Sequence, residues 1–340
     1  MQLELVVGDF HLDPAELGAG QTTAGLPRLP GFEAALQWGR LAHRTADWRA
    51  YLAQRAGRPD LATLPPAQVA AAALDLPGEA NPWFARPVHL AAGMDHLRLH
   101  RNGMLALSPE ELDGLVSGFS TAFRGTGLAL RPLFGGLLLT GLAAREAVTR
   151  DPALFLGADM GSAPASGPQS AELRRVGAEI EMWLHGQAFN SAREKRGQLS
   201  VNALWLWGGG PESPAASPLR QDSACLPRVY ADDAYVAGLW HASGGETQSV
   251  PADLTALRAD PEWRGSQGSA LVVLSAAARG LRDAPLPRLD ASWLAPAMEA
   301  LRSGQLSRLS VFCGGRQVSV TGLARWRFWR RARPWWAAYA

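Results

Sequence analysis

The sequence predicts an α/β protein with a mixed or mostly parallel sheet flanked by helices, on three observations. Short apolar, β-branched runs of strand length alternate along the chain with amphipathic stretches of helix length. The 340 residues, 47% hydrophobic and 19% charged, suffice for an ordinary core and exceed a typical single domain. No repeat of fixed period points to a solenoid or propeller.

The elements follow in order. Leu3 to Val7, broken by Gly8, reads as an opening buried strand. Gln21 to Gly31, rich in Gly, Pro and Thr, reads as a loop. Leu36, Leu41, Trp48 and Leu52 among polar residues predict a helix or helix pair over Phe32 to Ala56, ending at Gly57. Pro65 and Pro66 open a short helix through Leu74. Pro87 to Leu90 and Leu97 to Leu99 read as adjacent strands joined through Gly93, and Asn102-Gly103 as a hairpin turn after them.

Ser108, Pro109 and Glu111 form a capping box, from which Leu112, Leu115, Val116, Phe119 and Phe123 recur on one helix face until Gly125. A long helix is expected from about Ser170 to Arg196, with Leu173, Val176, Ile180, Trp183 and Leu184 as its stripe. Val201 to Trp207 is a compact strand ending in Gly208-Gly209-Gly210, followed by a Ser/Pro-rich loop to Pro227. Ala270 to Leu274 is a further strand, Asp290 to Arg302 a capped helix, and Leu306–Phe312 with Gln317–Val320 a hairpin across Gly314-Gly315. The Ala-, Ser-, Gly- and Pro-rich stretch 157–169 is the expected linker between an N-terminal half, 1–156, and a C-terminal half, 170–340.

Composition narrows the function classes. With 33 basic and 31 acidic side chains, a net charge of +2 gives no global footprint for a polyanion. Only Cys225 and Cys313 are present, far apart, which excludes a cysteine zinc site and fits a reducing compartment. Met1 to Phe10 lacks the pattern of a signal peptide, and the longest apolar stretch, Leu128 to Leu142, falls short of the ~20 residues that span a bilayer. A cytoplasmic protein is expected.

The most distinctive text is Phe189 to Gly210, FNSAREKRGQLSVNALWLWGGG. On a strand, Trp205 and Trp207 share one face while Asn202, Leu204 and Leu206 share the other, so the tryptophans either line a pocket or fill a core. Gly208 and its neighbours admit backbone N–H groups to an anion. Asn190 and Arg193, nearly on one helix face, either grip a phosphate or carboxylate or form a solvated helix end. His89, Asn190, Arg193, Asn202, Trp205, Trp207 and Gly208 are therefore the candidate ligand-binding set, for a small anionic or phosphorylated ligand or a protein partner.

Three lesser candidates stand beside it. Asp9, His11 and Asp13 alternate after the first strand, as ligands of a divalent metal or as a polar loop start. His96 and His100 share parity with each other but stand roughly 13 Å apart on a strand, too far for one ion. The tail Arg325 to Trp336 interleaves arginines with Trp326, Phe328, Trp329, Trp335 and Trp336, which suits nucleic acid, a membrane surface, or plain packing with outward guanidinium groups.

The spacings N-x-x-R-x-x-R-G and N-x-x-W-x-W-G within 190–208, with Trp83–Leu99 (WFARPVHLAAGMDHLRL) and Arg327–Pro334 (RFWRRARP), resemble a bacterial family of RpfE-type regulatory proteins, described as phosphoglycerate mutase-like. The strand around Asn202 to Gly208 is also similar to one in archaeal-type cofactor-independent phosphoglycerate mutases. That resemblance implies an alkaline-phosphatase-like architecture and, in an active member, metal-dependent phosphotransfer. Here Arg86 stands where the family usually has Asp, no D-G-x-x-D follows the first strand, and no D-H-G or D-H-S occurs near the C-terminus. The resemblance, so modified, implies a regulatory or binding protein without metal-dependent catalysis, with an enzyme acting on a small phosphorylated substrate as the alternative.

Overall fold

The computed structural model describes residues 1–11, 26–43, 47–74, 76, 81–93, 97–134, 136–162, 165–210, 226–261, 263, 268–279, 285–326 and 330–339. They form two compact units, one of residues 1–58, 223–232 and 245–340, the other of 59–222 and 233–244.

The first unit is built on a mostly parallel sheet. Its order is β2(Arg40–His43), β12(Arg316–Thr321), β11(Arg308–Cys313), β1(Gln2–His11), β10(Ser269–Arg279), β8(Arg228–Ala231), β9(Thr247–Gln248). β1 lies between β10 and β11, parallel to both, with Leu5 opposite Val272 and Val311. β12 and β2 close one edge antiparallel. Gly314 and Gly315, at φ 51° and 72°, make the expected turn between β11 and β12, a conformation that glycine adopts without Cβ strain. Leu3, Leu5, Val272, Leu309 and Val311 are buried in a core completed by α1(Pro30–Trp38), α8(Leu254–Ala259) and the helical run 286–302.

Two expectations for this unit are corrected. The Phe32–Ala56 region is α1, the exposed edge strand β2, and α2(Trp48–Arg55), because Gly39 ends the first helix and Leu41 pairs with Val318. The run 286–302 is Leu286–Leu289, a π-turn over Asp290–Leu294, and Ala295–Arg302. Pro296 has no N–H to give the preceding turn, and a π-turn just upstream accommodates that loss.

The second unit carries an antiparallel sheet ordered β4(Leu97–Met104), β3(Trp83–Ala92), β6(Gly136–Thr140), β5(Ala129–Leu133), with β7(Ala203–Trp207) also on β3. α4(Pro109–Ala122) starts with the predicted capping box, its Ser108 side chain bonded to Glu111 N–H and the Glu111 carboxylate to Ser108 N–H. α4 and α5(Ser170–His185) bury Leu115, Phe119, Val176 and Ile180 against the sheet residues Trp83, Leu139, Leu204 and Leu206. α3(Pro66–Ala71) packs on α7(Ala234–Ala242) so closely that a Cβ on Gly238 would lie 2.0 Å from the Val69 carbonyl oxygen.

Corrections follow here as well. Asn102-Gly103 lies within β4, so the hairpin connection comes before it; Gly103 serves close approach instead, since a Cβ there would meet the His89 and His100 carbonyl oxygens at 2.7 Å. The long helix over Ser170–Arg196 is two, α5 and α6(Ala188–Lys195), separated at Gly186 and Gln187. The apolar stretch Leu128–Leu142 is the β5–β6 hairpin. The expected linker 157–169 lies inside the second unit, where Gly157 N–H bonds Leu99 and Val148 bridges Ser166. β1 pairs with β10 and β11, and β3 with β7, so a division into halves at 157–169 would separate strand partners in both units. Among the described residues no helix is long and apolar enough to cross a membrane.

Candidate functional site

Four of the predicted site residues, His89, Asn190, Arg193 and Asn202, meet at one stretch of chain, residues 199–202, which precedes β7 and belongs to no helix or strand. Its backbone polar groups need partners that regular structure does not supply. Arg193 Nε donates to the Leu199 carbonyl at 2.7 Å. His89 Nδ1 donates to the Ser200 carbonyl at 2.8 Å. Asn190, buried on α6, accepts from Val201 N–H at 2.8 Å and donates to the Val201 carbonyl at 2.9 Å and the Leu184 carbonyl at 3.0 Å. Asn202 turns the other way, accepting from Leu90 N–H and donating to the Leu90 carbonyl, both at 2.8 Å, as a strand residue would.

Glu111 ties this stretch to α4. Its Oε2 accepts from Arg193 Nη1 at 2.7 Å and from Ser108 N–H at 3.0 Å, and its Oε1 accepts from Arg196 Nη2 at 2.6 Å. Arg193 in the last turn of α6 and Arg196 at its C-cap direct both guanidinium groups to a single carboxylate, which they fork. Arg193 and Glu111 are both buried, so each charge depends on the other. Sequence reading recognised Glu111 only as part of a capping box.

The tryptophans occupy the face of β7 opposite Leu204 and Leu206. Trp205 is buried, donates Nε1–H to the Arg150 carbonyl at 2.9 Å, and lies on the Phe155 ring. Trp207 packs on Phe84 with ring centroids 4.8 Å apart. Gly208, at φ 71°, accepts from Ala67 N–H at 2.9 Å. A Cβ on Gly209 would stand 2.3 Å from the Trp83 ring. The glycine triplet thus seats the strand end on Trp83 and α3.

Of the metal candidates, Asp9 sits at φ 55° where the β1 register shifts, and its carboxylate accepts from Arg49 Nη2 at 3.3 Å. The His11 side chain and all of Asp13 lie outside the described residues, as does His96. His89 and His100 meet edge to face at 6.1 Å. Among the described residues no three His, Cys, Asp or Glu side chains are grouped to hold a metal. Cys313 is buried, and burial pushes its thiol up to about 12; Cys225 lies outside the described residues.

In the first unit, the C-terminal segment builds a groove of about 540 Å³ whose lining includes Leu36 and Gln37 of α1, Leu41 of β2, and Arg330, Arg331 and Arg333. Arg330 is held at both ends, its carbonyl accepting from Gln37 Nε2 at 2.7 Å and its Nη1 donating to the Gly39 carbonyl at 2.6 Å. Arg331 and Arg333 are exposed. Trp335 is fully buried and gives its indole N–H to the Pro27 carbonyl at 2.9 Å, while Tyr339, also buried, bonds the Cys313 carbonyl. This part of the tail packs its aromatics inward with arginines outward; the side chains of Arg325 to Trp329 lie outside the described residues.

No family model and no curated protein matches the chain. Among solved structures, it is similar to a cofactor-independent phosphoglycerate mutase from Thermoplasma acidophilum, at 14% identity over 94% of this chain and 89% of that one, with a TM-score of 0.37. It is similar also to the PH0037 protein of Pyrococcus horikoshii, at 14% identity over 94% and 87% of the two chains, with a TM-score of 0.47. At these scores the architecture rests on the chain's own strand order and register.

Proposed function

We propose that this chain is a binding protein, regulatory in the sense that the mutase-like resemblance implies, and that it takes a small, multiply charged anion such as a phosphate ester. The observation that carries this reading is the groove of the first unit, where Arg330, Arg331 and Arg333 stand beside an apolar wall. Guanidinium groups match phosphate oxygens bidentately, and a volume of about 540 Å³ suits a ligand of nucleotide size. Arg330, already fixed by Gln37 and Gly39, loses little freedom on binding. The binding reading is favoured over phosphotransfer because the residues an enzyme would set round its substrate, His89, Asn190, Arg193 and Asn202, are bonded to their own chain.

Calorimetric titration with inorganic pyrophosphate and with adenosine monophosphate tests it. Saturable, salt-sensitive binding that weakens at least tenfold in the double variant Arg331→Gln/Arg333→Gln, with unchanged melting temperature, is expected. No binding at millimolar ligand, or binding indifferent to the double variant, overturns it. Tighter binding to a single-stranded oligonucleotide or to anionic vesicles than to either small anion replaces it with a nucleic-acid or membrane reading.

A further inference from the structure

The second unit holds a different kind of site. Along one edge of β3, β6 pairs at Trp83 and Phe84 and β4 pairs from Val88 onward. Ala85 to Pro87 fall between these two partners, and Pro87 has no N–H to offer a strand there. Where β6 and β4 part, a groove of about 380 Å³ opens, lined by Arg86 and Pro87 together with Leu105, Leu112, Phe134 and Leu137. Phe134 is 46% exposed at this groove, while Leu105 and Leu137 are buried.

Arg86 is out of keeping with these walls. Its Nε–H is buried without a hydrogen-bond partner, and among the described residues no carboxylate pairs with its guanidinium. Arg86 is half-buried, so its positive charge lies beside apolar groups at the mouth of the groove without a counter-charge, and an anion placed there is attracted to it. The acid on α4 next to the groove does not serve, since Glu111 is already shared by Arg193, Arg196 and Ser108 N–H. Its neighbour Leu112 lines the groove instead.

We propose that this groove binds an amphipathic monocarboxylate, the carboxylate pairing with Arg86 and the apolar body lying against Leu105, Leu137 and Phe134. One guanidinium neutralises one negative charge. A dianionic phosphate would bring a second charge against leucines with nothing to balance it. A neutral ligand of the same shape would leave Arg86 as it is. The volume fits a small-molecule pocket, and a partly exposed aromatic at a groove is a recurrent mark of ligand contact. This site is independent of the arginine groove of the first unit in both location and charge preference.

The probes are octanoate, octyl phosphate and octanol, followed by calorimetry and by the change in melting temperature. Octanoate is expected to bind saturably and to raise the melting temperature, with octanol at least tenfold weaker and octyl phosphate weaker than octanoate. Arg86→Met is expected to lose octanoate binding at least tenfold without losing thermal stability, because it removes an unpaired cation. Phe134→Asp, at a half-exposed position, is expected to weaken octanoate by charge repulsion and carries the test if Arg86→Met does not fold. Octanoate failing to bind at millimolar concentration, octanol binding as well as octanoate, or either folded variant binding octanoate normally overturns the proposal. Pyrophosphate binding by the first unit is expected to be unchanged in either variant, so the two readings fail separately.

Discussion

At the scale of single residues, Asn190 and Asn202 have the composition of ligand contacts and the geometry of scaffolding. Asn202 replaces two strand hydrogen bonds to Leu90, and Asn190 satisfies both polar groups of Val201. Truncating either leaves buried or half-buried backbone groups without partners, a loss of about 1–3 kcal/mol for each group. Asn202→Ala and Asn190→Ala are therefore each expected to lower unfolding free energy by at least about 2 kcal/mol in urea titrations. A change below about 0.5 kcal/mol in both would return these residues to the exposed, ligand-facing role expected of neutral surface positions.

At the scale of elements, the N-terminus of α1 is capped by a residue far along the chain. Leu29, in the N-cap position, has no hydrogen-bonding side chain, and Asp290 accepts from Gly31 N–H at 3.0 Å and from Phe32 N–H at 2.8 Å. Gly31 permits the approach, since a Cβ there would meet Ala295 N at 2.3 Å. Burial raises the Asp290 carboxyl above the usual range, opposed by those two bonds, with nearby Glu33 adding to the rise. A raised folded-state pKa means that ionisation works against the fold. The contribution is fully present below the unfolded value near ~4 and is lost as pH rises through the folded value. The melting temperature of the wild type minus that of Asp290→Asn is expected to grow as pH falls from 7 towards 4. A flat difference would show that this carboxyl does not titrate in that window.

At the scale of the whole molecule, both units are assembled from segments far apart in sequence. β1 is central to a sheet whose other parallel strands lie beyond residue 227, and β3 is central to one that takes β7 from beyond residue 202. Fragments 1–156 and 170–340 are thus expected to be unfolded alone by circular dichroism, each lacking strand partners and the cores they close, and to regain native-like spectra only when mixed or co-expressed. Cooperative melting of either fragment by itself would overturn this chain-crossed organisation. What the sequence determined by itself was local: apolar, β-branched runs that placed β1, β10, β11 and β12, the Ser108–Glu111 capping box, the Gly314-Gly315 turn, and the two faces of β7. Side-chain period, cap chemistry and glycine conformation act over a few residues, so they can be read there. Only the tertiary structure decided what those residues do. The pairing of Glu111 with Arg193 spans 82 positions, that of Asn202 with Leu90 spans 112, and the cap from Asp290 to Gly31 spans 259. Hydrogen bonds and ion pairs depend on separation in space, and a polar side chain carries no local sign of whether its partner will be a ligand or a distant stretch of its own backbone.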